Sequence, residues 1–423
     1  QSPDVQTMTR NLVLCADGTC NAFGHSSSNV ARLLEHIELQ KAEAQVVCYD
    51  QGIGTRLSEH KRIQTFKDHL GASGALHVLD PPNDAWSRPW TWPSLITSMT
   101  EGVGLDTNVA QLYETLATLY KPGDRVFLFG FSRGAFTVRA LAGLTWRYGL
   151  PASNTSADAK TRFAEAWPLF KDEFPDENGA KARRALQFRE GHGQRDCPIH
   201  FLGLWDTVKS YGGLQPIMLP HLRHNPSVAT VRHAMALDER RGWFEVTTWG
   251  WLDEDRNRHS AASRLDPADV ELIRKQDVVE VWFSGCHSDI GGGRGSERSS
   301  EIAARWMLGE ARRAHLSLNQ AGDRFLEVAS QDETTATHES RSLLWKAIEQ
   351  KQRSRIRNDG RWPQLVDAQR GASPREPLKS VRDCTIWHHE SVTDLSRFGE
   401  IPSKVTLRSR PTLRTPATVT VET

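Results

Sequence analysis

The stretch that most constrains the fold of this chain is residues 126–135, with the sequence VFLFGFSRGA. Its first four residues are apolar, which predicts a buried strand, and residues 135–144 have the spacing of a helix. Between them, Gly130 and Gly134 flank Ser132 in a G-x-S-x-G pattern. A serine on a sharp strand-to-helix turn needs glycine neighbours, because a Cβ at either position would crowd the diverging strand and helix. The pattern predicts a nucleophilic serine, and the alternative is a glycine-bordered turn with a solvated serine.

The composition excludes few classes of protein. The 423 residues can bury a large core, and 53 Lys and Arg against 52 Asp and Glu give a formal net charge of +1, which does not favour nucleic acid as a partner. No apolar run approaches the roughly 18–20 residues of a membrane span. The N-terminal residues also lack the apolar segment of a signal peptide. We therefore expect no transmembrane segment, and a protein that is cytoplasmic or exported without a signal peptide.

The six cysteines show neither a C-x-x-C pair nor a zinc-binding spacing. Several of them lie in apolar, strand-like runs, where buried free thiols are usual. The sequence therefore predicts no metal and no cofactor, and it favours a reducing compartment.

The order of the remaining patterns predicts an α/β fold with a mostly parallel central sheet flanked by helices. Strand-like runs alternate with segments of helical spacing, as in repeated β-α-β units. The predicted strands are residues 11–15, 45–49, 126–129, 199–205, 243–251 and 278–283. The predicted helices are residues 29–39, 106–120, 135–144, 231–237 and 301–314, and Asn29 is the predicted N-cap of the first.

We expect residues 1–320 to form one catalytic domain, with residues 321–423 as a C-terminal extension packed on it. Insertions are predicted at about 70–104 and 152–195, the second as a helical cap above the sheet. The first carries Trp86, Trp90 and Trp92 between prolines. Indole rings favour a membrane–water boundary, so this loop would be a lid or a lipid contact. The alternative is a surface loop whose tryptophans pack back on the core.

Three residues supply the chemistry that a nucleophilic serine requires. A serine hydroxyl needs a base to take its proton, and an acid to orient that base. In α/β-hydrolases the order along the chain is serine, acid, histidine, each just beyond the end of a strand. Here Ser132 follows VFLF, Asp206 follows IHFLGLW and His287 follows VVEVWFSG. The sequence therefore predicts a triad of these three residues.

Other residues compete for the same roles. His233 lies in a predicted helix and His200 within the strand that precedes Asp206, so both are interpreted as structural. Asp238, in charged surroundings, is interpreted as forming ion pairs. Asp289 lies two residues after His287, where it would buttress the histidine loop or contact the imidazole.

The oxyanion of an acyl-transfer reaction requires backbone N–H donors near the serine. The residue after the nucleophile, Arg133, supplies one such N–H, and the turn Asp17-Gly18 after the first strand is predicted to supply the other. A phosphatase reading of the same turn fails, because Cys15 stands where the nucleophilic aspartate would be. The alternative is a simple turn in which Asp17 caps locally.

Three glycines at positions 291–293 follow the histidine. No Lys-Ser/Thr follows them, which excludes a P-loop. We interpret the glycines as allowing the loop to fold closely around His287.

Six motifs in this order carry a resemblance to one known family. They are CADGTCN, CYDQGIGT, YKPGDRVFLFGFSRGAFTVRALAG, FLGLWDTVKSYGG, VRHAMALDERRGWF and VWFSGCHSDIGGG…EIAARWMLGEA. Together they resemble the domain of the type VI secretion lipase effector family 1-like proteins. The resemblance runs from about residue 11 to 318, and WHHESV at 387–392 is a weaker echo of the family's C-terminal signature. It implies an α/β-hydrolase fold, an esterase of phospholipase A type, and a triad at Ser132, Asp206 and His287.

These inferences predict a serine carboxylic-ester hydrolase that works through an acyl-enzyme. The expected substrate is an ester or phospholipid, with possible peripheral membrane contact. Soluble or polymeric esters are an alternative substrate class, and a non-catalytic binding module of hydrolase fold is the alternative of another kind. Acyl length, positional preference and oligomeric state stay open.

Overall fold

Nine strands form one sheet in the computed structural model of this chain. The residues that the structure describes are 9–18, 27–51, 74–79, 104–174, 179–192, 194–208, 211–212, 215–216, 219–241, 244–249, 267–293, 297–327, 385–389 and 406–410. The strands of the sheet are β1 (Asn11–Ala16), β2 (Gln45–Asp50), β3 (Leu76–Val78), β4 (Arg125–Phe131), β7 (Ile199–Trp205), β10 (Val228–Ala236), β11 (Asp277–Phe283), β12 (Thr385–His389) and β13 (Thr406–Arg410). Two short antiparallel pairs lie outside it: β5 (Leu150–Pro151) with β6 (Gln194–Arg195), and β8 (Tyr211–Gly212) with β9 (Gln215–Pro216).

Helices cover both faces of the sheet. In chain order the described helices are α1 (Asn29–His36), α2 (Leu105–Leu119), α3 (Arg133–Tyr148), α4 (Ser156–Asp172), α5 (Ala180–Gly191), α6 (Pro267–Lys275), α7 (His287–Gly291), α8 (Glu297–Arg313) and α9 (Gln320–Glu327). One face packs against α2 and α3, and the other packs against α1 and α8. This three-layer arrangement buries the sheet on both sides, as parallel sheets require.

The alternation of side chains along β4 shows why its residues form a central strand. Val126 and Leu128 point into the core under α2 and α3, whereas Phe127, Phe129 and Phe131 point into the opposite core. All five are almost fully buried. A continuous apolar run is therefore what the strand needs, because neither of its faces meets water.

The strand order explains where a site can lie. It runs β13-β12-β11-β10-β7-β4-β1-β2-β3, and the pairings along it are parallel. From β1, the chain first adds β2 and β3 on one side of the sheet. It then adds β4 and the later strands on the other side of β1. In sheets of this kind, ligands bind beyond the carboxyl ends of the strands, at the place where the direction of winding reverses.

The predicted α/β-hydrolase fold, with a mostly parallel sheet between helices, is confirmed. One element was assigned the wrong type: residues 231–237 were predicted to be helical, but residues 231–236 belong to strand β10. The predicted strand at 243–251 is also wrong where it is described, because residues 244–249 contribute only an isolated bridge between Val246 and Val208. In the sheet, the structure adds β3 and β12, which were not predicted.

Helices α4 and α5 lie within residues 152–195, the segment for which the sequence predicted a helical insertion. Phe170 of α4 and Phe188 of α5 both contact Tyr148, at the far end of α3 from Ser132. A helix of sixteen residues is about 24 Å long, so these contacts are remote from the serine. In the described residues, α4 and α5 therefore pack on the layer formed by α2 and α3.

A buried arginine ties α3 to two loops. Arg139 is 1% exposed, and its guanidinium donates to the carbonyl oxygens of Leu222, Thr247 and Thr248 at 2.6–3.0 Å. Burial is the largest influence on this group and lowers the pKa of Arg139 to about 9, so it stays charged at neutral pH. Its guanidinium therefore supplies hydrogen-bond donors to three backbone carbonyl groups of these loops.

None of the described helices is both long enough and apolar enough to cross a membrane.

We predict that Arg139→Met lowers the free energy of unfolding by about 3 kcal/mol, because buried carbonyl groups lose their donors. Urea denaturation followed by circular dichroism measures the change. Lys171→Met is the control, since Lys171 forms an exposed pair with Asp106 and should change stability by less than about 1 kcal/mol. Equal stabilities of the two variants would contradict the assigned role of Arg139.

Candidate active site

Ser132 lies on a strained turn between β4 and α3. Its backbone has φ 58° and ψ −120°, a conformation that side-chain-bearing residues rarely adopt. A Cβ on Gly130 would lie 2.6 Å from the Ala135 backbone, and one on Gly134 would lie 2.2 Å from the carbonyl oxygen of Ala16. Both predicted glycines are therefore required by the close approach of α3 to β4 and β1.

The structure brings the three predicted residues of the triad together. The Nε2 atom of His287 lies 2.8 Å from the Oγ atom of Ser132, and its Nδ1 atom lies 2.6 Å from Oδ2 of Asp206. The residues come from the ends of three strands, β4, β7 and β11. All three are buried, and Asp206 is fully so.

Asp206 is held by its backbone as well as its side chain. It has a positive φ of 42°, and its N–H donates to the carbonyl of Ala234. Its Oδ1 atom accepts a hydrogen bond from the Ala236 N–H at 2.9 Å, which leaves Oδ2 directed at His287. The carboxylate therefore favours the imidazole tautomer with the proton on Nδ1, and Nε2 can then accept the serine proton.

The charge state of His287 follows from its surroundings. Burial is the largest influence and lowers the pKa of the imidazole below its ordinary value of 6.5. The Asp206 carboxylate opposes burial by stabilising the imidazolium form, Arg241 adds to the lowering, and Glu239 opposes it. The net result is a neutral imidazole at pH 7, the form that can act as a base.

Asp289 buttresses the histidine loop, one of the two roles that the sequence allowed. Its Oδ2 atom accepts the Cys286 N–H at 2.9 Å, and the two residues form a reciprocal cap at the start of α7. Asp238, the other competing acid, accepts the Gly285 N–H at 2.6 Å. The imidazole of His287 forms its hydrogen bond to a carboxylate with Asp206.

The turn predicted to complete an oxyanion hole is used differently in the structure. The Asp17 N–H donates to the carbonyl of Asp50, and the Gly18 N–H donates to the carboxylate of Asp17 at 2.6 Å. Both donors already have acceptors, which corrects the prediction for these two residues. The N–H of Arg133 does lie at the first position of α3, where a helix presents its positive end.

The Asp17 carboxylate organises the turn instead. Its Oδ2 atom accepts hydrogen bonds from the hydroxyl groups of Ser28 at 2.5 Å and Tyr49 at 2.7 Å. Ser28 also caps α1 through its bond from the Ala31 N–H, so the predicted N-cap, Asn29, is wrong by one residue.

The three glycines after His287 pack against this same turn. A Cβ on Gly291 would overlap the ring of Phe131, which itself lies 4.7 Å from the imidazole of His287. Gly292 forms a bridge with Ser28, and Asn29 donates to the carbonyl of Ile290. The glycines therefore allow the histidine loop to approach both the nucleophile turn and the start of α1, which agrees with their interpretation from sequence.

The competing histidines are structural. His233 lies in β10; its Nε2 atom accepts the Thr207 N–H, and its Nδ1 atom lies 2.9 Å from Glu280. An accepting Nε2 atom means that the proton is on Nδ1 and the ring is neutral. His200 bonds the carbonyl of Ala314 at 2.9 Å. Neither ring is bonded to Ser132.

The predicted lid residues Trp86, Trp90 and Trp92 lie outside the described residues. Among the residues that are described, no group of three or more histidine, cysteine, aspartate or glutamate side chains could hold a metal ion.

Fold and site together define the class of this protein. It has an α/β-hydrolase fold with a hydrogen-bonded serine, histidine and aspartate at the carboxyl edge of its sheet. Comparison with known families identifies the family within this class. The chain belongs to the family of type VI secretion phospholipase effectors of the Tle1-like kind, whose catalytic domain matches residues 10–310.

Individual proteins share lower similarity with this chain, and three of them illustrate it. An uncharacterized protein of Saccharomyces cerevisiae, YEL023C, is 31% identical over 242 residues, which are 56% of this chain and 32% of the yeast protein. The chain thus spans about a third of the length of that relative. A crystal structure of an uncharacterized protein from Pseudomonas aeruginosa is similar with a TM-score of 0.39 and 19% identity, over 88% of this chain and 57% of the other. The Tle1 effector in complex with the type VI VgrG spike has a TM-score of 0.34 and 14% identity, over 86% and 84% of the two chains.

We predict that Gly134→Ala lowers the free energy of unfolding by about 2–3 kcal/mol, because its methyl group would press on the backbone at the end of β1. Chemical denaturation measures the loss. Gly191→Ala is the matched control: a Cβ there meets nothing within 4 Å, so the change should be neutral or slightly stabilising. Equal free energies of unfolding in the two variants would show that the close approach of Gly134 to Ala16 does not limit stability.

Proposed function

We propose that this protein is a serine carboxylic-ester hydrolase that acts through an acyl-enzyme. The observation that carries the proposal is the unbroken pair of hydrogen bonds from Ser132 through His287 to Asp206. A serine at a strained strand-to-helix turn, bonded to a neutral imidazole, is the arrangement that activates a hydroxyl group as a nucleophile.

The reaction proceeds in two stages. Nε2 of His287 takes the hydroxyl proton as Oγ of Ser132 attacks the ester carbonyl carbon. The tetrahedral intermediate collapses, the bond to the alcohol oxygen breaks, and His287 returns the proton to that oxygen. Water then attacks the acyl-serine with His287 again as base, which releases the acid and restores the serine.

The negative charge that develops on the carbonyl oxygen needs nearby donors. The N–H of Arg133 and the positive end of α3 are placed for this role, since both adjoin Ser132. Asp206 stabilises the imidazolium that forms after proton transfer, and it holds the ring in the tautomer that the reaction needs.

A phospholipid ester is the substrate class we propose, and its support is membership of a phospholipase effector family. The products would be a fatty acid and a lysophospholipid. The same machinery would serve a soluble ester, so the substrate class needs its own measurement. A non-catalytic binding role is less well supported, because a spacing of 2.8 Å between imidazole and serine is what a catalytic base requires.

We predict that Ser132→Ala lowers ester hydrolysis by about three or more powers of ten and leaves folding intact, because the attacking oxygen is lost. The measurement uses p-nitrophenyl esters of graded chain length and phosphatidylethanolamine vesicles. Ser156→Ala, at an exposed serine, is the control and should hydrolyse both substrates at the wild-type rate.

The two substrates separate the possible results. Serine-dependent release of fatty acid from vesicles supports the phospholipase assignment. Serine-dependent cleavage of short esters alone would keep the mechanism and reject the lipid. Turnover by Ser132→Ala at the wild-type rate would refute the assigned nucleophile.

The depressed pKa of His287 predicts the pH dependence. A base must be neutral to act, so kcat/KM should be retained as pH falls to 6.5 and be lost only below it. Asp206→Asn removes the carboxylate that raises this pKa, so its acid limb should move to lower pH while kcat falls by about 10³–10⁴. Steady-state kinetics between pH 4 and 9 test both statements. An acid limb above pH 6.5 in the wild type would contradict them.

A further inference from the structure

The loop that carries His287 is held by three carboxylates. The N–H groups of the consecutive residues Gly285, Cys286 and His287 donate to Asp238, Asp289 and Glu239, at 2.6, 2.9 and 3.2 Å. Two of these acids come from the segment that follows β10. Three successive amides directed at three acids leave the loop little freedom to shift relative to the imidazole it carries.

Glu239 is itself paired with a cation, Arg241. Its side chain is fully buried, and both of its oxygens accept hydrogen bonds from Arg241, at 2.8 and 2.9 Å. The Arg241 guanidinium lies over the ring of Phe244, with its central carbon 3.6 Å from the ring centroid. That ring meets the imidazole of His287 edge to face, with centroids 4.9 Å apart.

Glu239 and Phe244 therefore each contact His287, and Arg241 links the two. Glu239 accepts the hydrogen bond of the His287 N–H, and Arg241 pairs with Glu239. The ring of Phe244 contacts both the Arg241 guanidinium and the imidazole of His287. We call these three residues the Glu239 cluster.

We propose that the Glu239 cluster positions His287 and balances its basicity. Glu239 fixes the backbone of the histidine, while the opposite charges of Glu239 and Arg241 act on the imidazole in opposite directions. The inference rests on the proposed function, in which His287 is the base.

The charges that face His287 give the sign of each effect. Asp206 and Glu239 raise the pKa of the imidazole, and Arg241 lowers it together with burial. Removing the Glu239 charge should therefore lower this pKa, and removing the Arg241 charge should raise it. A residue that merely stabilised the fold would move neither.

The test compares pH profiles of kcat/KM for Glu239→Gln, Arg241→Met and the double variant. Glutamine keeps the shape of Glu239 and can still accept the His287 N–H, and methionine keeps the contact with Phe244. We expect the acid limb to move to lower pH in Glu239→Gln, to higher pH in Arg241→Met, and back towards the wild type in the double variant. Rates are divided by the amount of reactive serine titrated with a fluorophosphonate, so that misfolded protein is not counted.

The positioning role has a separate readout. Glu239→Ala removes the acceptor of the His287 N–H, so kcat should fall about 10- to 100-fold with KM unchanged. Glu310→Gln is the matched control, because Glu310 is a buried acid paired with Arg232 in the interior of the sheet. Arg232 lies four residues before the carboxyl end of β10, about 13 Å along the strand. That variant should keep the wild-type kcat and pH profile.

An NMR titration of the His287 imidazole separates failure of this inference from failure of the proposed function. The pKa of the imidazole should be highest in Arg241→Met, intermediate in the wild type and lowest in Glu239→Gln, whether or not the protein hydrolyses any ester tested. Identical titrations in the three proteins, or shifts in the same direction in both variants, would overturn the inference. Absence of serine-dependent hydrolysis with the expected order of pKa values would overturn only the proposed function.

Discussion

The close approach of α3 to the end of β1 is the constraint on which the rest of the site depends. At Gly134 the helix backbone comes so near the carbonyl of Ala16 that no side chain fits between them. This contact fixes the first turn of α3 at the place where the sheet reverses its winding. It thereby forces Ser132 into a positive φ that would otherwise be unfavourable. The packing energy of two buried elements thus maintains the strained conformation of one residue.

Burial creates the second constraint, because ionisable groups removed from water must find partners. The histidine loop meets this demand with backbone amides, which bind carboxylates without adding charge. Glu239, one of the three acids that bind this loop, is paired with Arg241, and that arginine also acts on the imidazole of His287. The interactions that hold the loop in place and those that set the basicity of the imidazole are therefore partly the same interactions.

Much of the sheet could be predicted because its strands are buried on both faces and read as continuous apolar runs. Strand β10 could not, because Arg232 and His233 interrupt its apolar run, and their partners lie far along the chain. Arg232 binds Glu310 and Asp277, and His233 binds Glu280. No local pattern reveals these pairings, and the alanines and methionine that follow favour a helix in isolation. The short strand β3 was missed for a related reason, since pairing with β2 defines it more than its own three residues do.

The proximity of Ser132, His287 and Asp206 was predictable for a different reason: each follows a recognisable strand, and parallel strands bring their carboxyl ends to one edge. The bonding of the Asp17-Gly18 turn was not, since it involves Asp50, Ser28 and Tyr49, which are distant along the chain. Asp17 turns its carboxylate towards Gly18 while Ser28 and Tyr49 hold that carboxylate in place. A buried carboxylate that accepts three such bonds is a strong local organiser. In the proposed mechanism, stabilisation of the oxyanion would therefore rest on the N-terminus of α3, the same helix end that the contact at Gly134 holds in place.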